Sequence, residues 1–300
     1  MQFLQLYYIL LFVNPLFSFI TPTYNRGYIL WKTIQSVQKQ VYPHWELLVL
    51  DDGSTDDTEK VVAQFQKDPR INYFPLAKST ATKARNMGLK KAKGEFIVYL
   101  DSDDQLYENF LSVTLEHFIK NKRAIFSIPN YNRRLELYDE HHHVRDFIDS
   151  NDSIKESLTL SDIYHWKEKG CGTGLVHKRV VIEKGIRWDE SLTLFEDWDF
   201  KMQLGKAFPN GFMHIPYVLF EYLQQYGGDG VCSNTTYGEW ATGFERIYKQ
   251  HKNDPLMKGQ VWYPDRVEKY KKMQEQVEKG EIPESVYKYF PKYGKLKKIK

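Results

Sequence analysis

Phe96-Ile97-Val98-Tyr99-Leu100-Asp101-Ser102-Asp103-Asp104 is an apolar run that passes without a break into a polar, acidic one. A run this short and this apolar fits a strand buried on both faces, as in a parallel sheet with helices on either side. The acids begin where the strand must leave the sheet. Upstream, the same pattern recurs. Leu16 to Thr21 reads as a first strand, Glu46 to Leu50 as a second that runs into Asp51-Asp52-Gly53, and Ile71 to Phe74 as a third. Leu30, Ile34 and Val37 share one helical face. Thr55 is placed to cap a helix carrying Val61, Val62 and Phe65, and Thr82 to Lys91 reads as a helix that Gly94 ends. Strands alternating with helices predict an α/β fold, a mostly parallel, Rossmann-like sheet with right-handed crossovers. In such sheets ligands bind beyond the carboxyl ends of the strands. The polar clusters Thr21 to Asn25, Asp51 to Ser54 and Asp101 to Asp104 all lie at those ends.

Beyond about residue 130 the alternation fades. Arg133 to Tyr138 is expected as a strand and Asp139 to Ser161 as a polar, loop-rich stretch. Val176 to Gly185 and Asp197 to Lys206 read as helices, and Met213 to Tyr217 and Leu219 to Leu223 as two strands. Gly227-Gly228-Asp229-Gly230 is a tight or mobile turn that can close over a ligand. Residues 236–252 and 265–280 read as helices, a C-terminal helical extension.

Bulk properties exclude some classes. The 300 residues are 42% hydrophobic and 27% charged, an ordinary globular composition with material for a large core. A net charge of +3 gives no strong field towards nucleic acid, and no nucleic-acid partner is expected. Lys288, Lys292, Lys295, Lys297, Lys298 and Lys300 crowd the C-terminus. Such a tail can touch anionic lipid at roughly 1 kcal/mol per charge; the plainer reading is a solvated tail. Two cysteines, Cys171 and Cys232, make neither a disulfide framework nor a zinc spacing, and a reducing, cytoplasmic setting fits them. Phe3 to Val13 is nearly all apolar, but no basic residue precedes Arg26 and Pro15 interrupts the stretch. A packed extension is expected there rather than a signal peptide or anchor; translation from an upstream start would look the same.

Four clusters carry chemistry, each with a plainer alternative. Crowded carboxylates in Asp101-Ser102-Asp103-Asp104 fit Mg²⁺ or Mn²⁺ held together with a diphosphate; alternatively Asp103 or Asp104 caps a helix around Asn109 to Phe118. In Asp51-Asp52-Gly53-Ser54 an Asp can accept the imide N–H of a uracil, or simply form an Asx turn. In Thr21-Pro22-Thr23-Tyr24-Asn25-Arg26 the tyrosine can stack on a base and the arginine can face phosphate or water. Arg85-Asn86 can also reach a nucleotide. Glu196-Asp197-Trp198-Asp199 suits a general base beside an apolar wall, or acids favoured by a helix dipole.

Together, in order and spacing, these clusters resemble the family 2-type inverting glycosyltransferases of the GT-A fold. The resemblance runs over about residues 16–225 and is strongest in TPTYNR, DDGSTDDT, KARNMGLKKAKGEFIVYLDSDD and FEDWDF. It implies transfer of a sugar from a nucleotide-sugar, by analogy a UDP-sugar, to a hydroxyl of a glycan, glycolipid or other acceptor. Thr21, Pro22 and Tyr24 resemble the base-contacting turn, Asp52 the uracil-reading carboxylate and Arg85 a nucleotide contact. Asp101 resembles the ribose or diphosphate carboxylate of a D-x-D motif, and Asp103 the ligand of Mn²⁺ or Mg²⁺. Asp197 resembles the catalytic base, with Glu196 before it, and Gly172 and Thr173 line the expected acceptor pocket. Members often carry a histidine after the strand here at Leu219 to Leu223; Gln224 and Gln225 stand there instead, so no protein ligand is assigned, and His214 is read as structural.

The implied organisation is an apolar extension over 1–15, a nucleotide-sugar-binding half over 16–130, an acceptor and catalytic-base half over 131–235, and a basic helical extension over 236–300. The implied place of work is the cytoplasm, in peripheral contact with the inner face of a membrane through the basic C-terminus. Two other classes fit the sequence less well. A sugar nucleotidyltransferase needs an early Gly-rich loop, and residues 16–35 contain only Gly27. A non-catalytic carbohydrate- or membrane-binding module would explain the aromatic content but not the full set of carboxylates.

Overall fold

A computed structural model describes residues 14–138, 141–150, 154–165, 172–226, 235–257, 262–282, 289–290 and 297–298. The apolar extension, both cysteines, Gly227 to Gly230 and most of the C-terminal lysines lie outside the described residues. The chain divides into two compact units. The first comprises Met1–Tyr131, Ile154–Leu160 and Lys169–Tyr222, and the second Asn132–Ser153, Ser161–Glu168 and Leu223–Lys300.

In the first unit, β1 (Phe17–Thr23) is buried along its whole length. It pairs in parallel with β2 (Trp45–Asp51) on one side and β4 (Phe96–Tyr99) on the other. β3 (Ile71–Pro75) extends the parallel set beside β2. The helices between them are α1 (Leu30–Gln38), α2 (Thr58–Ala63) and α3 (Ala81–Lys91). Leu30, Ile34 and Val37 are fully buried on the core side of α1, as the 3.6-residue spacing requires.

After β4 the pattern changes. β5 (Gln105–Leu106) pairs antiparallel with β9 (Phe212–Tyr226). α4 (Phe110–Lys120) leads into β6 (Phe126–Tyr138), and β8 (Val176–Lys178) bridges β4 and β6, antiparallel to both. The resulting order is β3-β2-β1-β4-β8-β6-β9-β5. α6 (Val180–Glu183) and α7 (Glu196–Ala207) complete this part of the chain. The far ends of β6 and β9 belong to the second unit, where β7 (Val144–Ser150) pairs antiparallel with β6. That unit also holds α5 (Leu160–Tyr164), α8 (Tyr237–His251) and α9 (Trp262–Glu278). α8 starts with a full capping box between Thr236 and Glu239. Among the described residues no helix is long and apolar enough to cross a membrane.

Several local expectations are corrected. Thr55 does not cap α2; Asp56 Oδ1 accepts the Thr58 N–H at 3.0 Å, while Thr55 donates to Asn25. Gly94 is not a left-handed helix cap. It is required because a Cβ there would lie 2.6 Å from the Leu16 carbonyl oxygen. Its N–H donates to Ser18 Oγ, and that hydroxyl donates to Glu46 Oε1. These bonds explain two polar side chains inside otherwise apolar strands. Val176 to Gly185 is not one helix, because its first three residues join the sheet as β8. The stretch read as loop-rich contains β7. The two strands expected over 213–223 are one continuous β9, with Pro216 at an exposed position in it.

Candidate active site

The described residues of the site belong to the first unit. β1 and β2 end side by side, and the turns that follow are tied together. Asp52 N–H donates to the Thr23 carbonyl, Asn25 N–H to Ser54 Oγ, and Thr55 N–H to Asn25 Oδ1. Asn25 adopts φ 50° and Gly53 φ 81°, so both turns pass through the left-handed region that asparagine and glycine tolerate best. Thr21 and Pro22 are buried within the sheet end; Tyr24 is 42% exposed. Among the described residues the Thr21 and Thr23 hydroxyls have no hydrogen-bond partner. Asp52 is almost wholly buried and receives Ser79 N–H and Ser79 Oγ on Oδ1 and Lys78 Nζ on Oδ2. The same ammonium lies 3.1 Å from the centre of the Tyr24 ring, a cation–π contact.

β4 delivers Asp101 to Asp104 to the same end of the sheet. Neither Asp103 nor Asp104 caps α4; Asn109 is its N-cap residue and makes no side-chain cap. The Asp101 N–H donates to Thr173 Oγ1 at 2.9 Å. Gly172 lies beside this pair: a Cβ on it would sit 3.6 Å from Arg85 Nη2 and 3.8 Å from Asp101 Oδ2. Asp103 Oδ2 is 3.9 Å from Arg26 Nη2. Burial raises the Asp103 carboxyl above its usual range, with Arg26 opposing the rise and Asp101 adding to it.

Arg85, from α3, joins two of the clusters. Nη2 donates to Asp101 Oδ1 at 2.8 Å and Nη1 to Glu196 Oε1 at 3.2 Å. The guanidinium also lies over the Trp188 ring at 4.5 Å, and its Nε–H has no hydrogen-bond partner among the described residues. Trp188 in turn stacks on Phe200 of α7 with an interplanar angle of 3°. Asn86 clips the backbone of Trp188 through both an N–H donor and an acceptor. The expected nucleotide contact Arg85 is thus engaged with two carboxylates.

α7 presents Glu196 and Asp197 in its first turn, where the helix dipole favours acids. The residue before them, Phe195, adopts φ 62°. A bulky residue in that region is strained by about 1–3 kcal/mol and persists where its surroundings impose it. The ring is buried and packs edge-on against Trp198. Burial raises the Glu196 carboxyl, against the pull of Arg85. Asp197 Oδ2 accepts from Lys201 Nζ at 3.4 Å. The sequence reading missed Lys78, Ser79, Trp188 and Lys201. Only Lys201 carried a legible signal, the i,i+4 spacing from Asp197 on one helix. Gln224 and Gln225 are buried in β9, and His214 accepts the Leu158 N–H and contacts Asn130.

Among the described residues no group of three or more His, Cys, Asp or Glu is arranged to hold a metal ion. The acids at Asp101 and Asp103 offer a small oxygen donor set, which suits Mg²⁺ or Mn²⁺ only when a ligand's phosphates and waters complete the coordination.

The chain is similar to known proteins over this same region. It is 34% identical over 150 residues to the putative teichuronic acid biosynthesis glycosyltransferase TuaG of Bacillus subtilis, covering 48% of this chain and 59% of the relative. It is 36% identical over 174 residues to the UDP-Glc:alpha-D-GlcNAc-diphosphoundecaprenol beta-1,3-glucosyltransferase WfgD of Escherichia coli, covering 57% and 61%. The chain therefore spans less than two thirds of the length of either relative. The fold matches that of S. aureus TarS 1-349 in complex with UDP-GlcNAc, with a TM-score of 0.66 at 20% identity over 90% of this chain and 78% of that one. The family model described as Glycosyl transferase family 2 matches residues 18–184, more than half of the sequence, from β1 through α6, and the chain belongs to that family.

Proposed function

We propose that this chain transfers a sugar from a UDP-sugar to an acceptor hydroxyl in glycan biosynthesis, with inversion and with Asp197 as general base. The observation that carries this reading is Arg85, which ties Asp101 of the D-x-D turn to Glu196 beside Asp197. A carboxylate turn suited to a departing diphosphate and a carboxylate suited to an attacking hydroxyl are thereby held in one unit. Asp52 reads the imide N–H of uracil, with Tyr24 offering an aromatic face for the base. Asp197, 19% exposed, takes the proton of the acceptor hydroxyl as its oxygen attacks the anomeric carbon. One in-line displacement inverts that carbon, and general-base help is worth roughly 10²–10⁴-fold.

A divalent cation, Mn²⁺ or Mg²⁺, fits the donor set at Asp103, with Asp101 near it; when bound it offsets negative charge on the diphosphate. Gly172 and Thr173 adjoin Asp101 on the side where the sugar or acceptor would sit. The names of the relatives favour a polyprenyl-diphosphate-linked glycan as acceptor and a uridine nucleotide as donor. Such an acceptor brings the reaction to the cytoplasmic surface of a membrane, where the lysine-rich C-terminus would meet anionic headgroups.

Calorimetry with UDP, with and without Mn²⁺, and release of UDP from a panel of nucleotide-sugars test the reading. Metal-tightened UDP binding and UDP release that stops in EDTA are expected. Equal affinity without metal, and full activity in EDTA, would remove the cation; no release from any UDP-sugar would remove the reaction.

A further inference from the structure

Lys201 lies on α7 with its side chain only 2% exposed. A lysine ammonium is almost never that deeply buried unless it is paired. Its Nζ sits 3.4 Å from Asp197 Oδ2, one helical turn earlier. On a solvated surface such an i,i+4 pair is weak and mobile, because both side chains lose rotamer freedom for a screened attraction. Here the cation is enclosed, so it has little conformational freedom left to lose.

The two acids at the start of α7 are fixed by different cations. Glu196 is held by Arg85 from α3, and that guanidinium is shared with Asp101 after β4. Asp197 is held by Lys201 from its own helix. Asp197 keeps partial exposure, and its Oδ1 accepts no hydrogen bond among the described residues. One carboxylate oxygen is therefore anchored and the other is open.

We propose that Lys201 is a positioning residue for Asp197: its buried ammonium holds Oδ2 so that Oδ1 is left aimed at the acceptor hydroxyl. The inference rests on Asp197 being the general base, as proposed above. Lys201 itself lies beneath the surface and touches neither donor nor acceptor. A base misplaced by about an ångström costs up to roughly a hundredfold in rate, so the ammonium acts on turnover and leaves donor binding alone.

The test compares Lys201→Met, Lys201→Arg, Asp197→Asn and the double variant Asp197→Asn/Lys201→Met in the full chain. UDP release is followed with the nucleotide-sugar identified by the panel above, and UDP affinity by calorimetry. Lys201→Met is expected to lower kcat about tenfold or more with donor KM and UDP affinity nearly unchanged, and Lys201→Arg to recover most of the loss. In the Asp197→Asn background, adding Lys201→Met should cost nothing further, because the lysine acts through the carboxylate. A folded Lys201→Met with wild-type kcat, or an equal loss in both backgrounds, overturns the proposal. Should Lys201→Met fail to fold, the double variant leaves neither charge uncompensated; its residual rate is expected to equal that of Asp197→Asn, and a clear further loss overturns the proposal. Wild-type turnover in Asp197→Asn is a separate outcome that removes the base itself.

Discussion

Replacing Arg85 with methionine keeps much of the aliphatic stem and removes the charge shared by Asp101 and Glu196. At the observed 2.8 Å and 3.2 Å, Coulomb attraction at an effective dielectric of about 20 is roughly 6 and 5 kcal/mol. Most of that is offset by the desolvation of a guanidinium whose side chain is 6% exposed. The loss that survives is the cost of leaving carboxylates uncompensated, about 3–5 kcal/mol for a buried pair broken on one side. Asp101 and Glu196 keep 26% and 22% side-chain exposure, so water can take over part of the guanidinium's role. That places the expected loss near about 3 kcal/mol, or roughly 6–12 °C in melting temperature for a unit of this size. The assay is urea denaturation of wild type, Arg85→Met, Glu196→Gln and the double variant. Removing one of the stranded charges should recover about 1 kcal/mol or more. A loss below about 1 kcal/mol in Arg85→Met with no coupling to Glu196→Gln would show that the guanidinium does not bind these carboxylates, and the assembled site would lose its main strut.

Three other outcomes are expected. Asp197→Asn should lower kcat by about 10²–10⁴-fold while UDP affinity, measured by calorimetry, stays near wild type. Thr173→Val should cost about 1 kcal/mol in denaturant melts, because the Asp101 N–H loses its acceptor at a partly exposed position. His177 is fully buried, and burial pushes its imidazole down to about 4. The unfolded chain takes up that proton below about pH 6.5 while the native state does not. Stability should therefore fall by about 3 kcal/mol as pH drops from about 6.5 to about 4, and a His177→Phe variant should flatten that slope in pH-dependent melts.

The parallel half of the fold was legible because β1, β2 and β4 are buried on both faces and α1 shows a clean apolar stripe. Phe17 to Thr23 and Trp45 to Asp51 offered no competing period. The antiparallel half was not. Val176 to Lys178 is too short for any period, and its pairing with Phe96 to Val98 is a long-range event that local sequence does not encode. The interruption read at Val218 does not occur: β9 runs through it and through Pro216, whose exposed position needs no inward N–H donor. At the site, the acids were legible because crowded carboxylates at strand ends have few purposes. Their counter-charges were not, since Lys78 and Lys201 resemble any other solvated lysine until burial is known. Trp188 was missed for a similar reason, because a tryptophan in a sequence most often means core.

Among the described residues, the charges around the proposed reaction centre do not balance. Asp101, Asp103, Glu196 and Asp197 face Arg26, Arg85 and Lys201, and every one of these cations is already within 4 Å of one of the acids. Asp103 has the longest of these contacts, 3.9 Å to Arg26, and its carboxyl is raised by burial and by Asp101. A diphosphate entering such a site would meet surplus negative charge, and two like charges within a few ångströms repel by about as much as the ion pairs above attract. Moving Arg26 or Arg85 onto the phosphates would only strand the acid it leaves. On the proposed function, one divalent cation held by Asp103 would remove the imbalance. If the proposed function holds, diphosphate and metal are expected to bind together, each tightening the other in calorimetry, and neither to bind well alone.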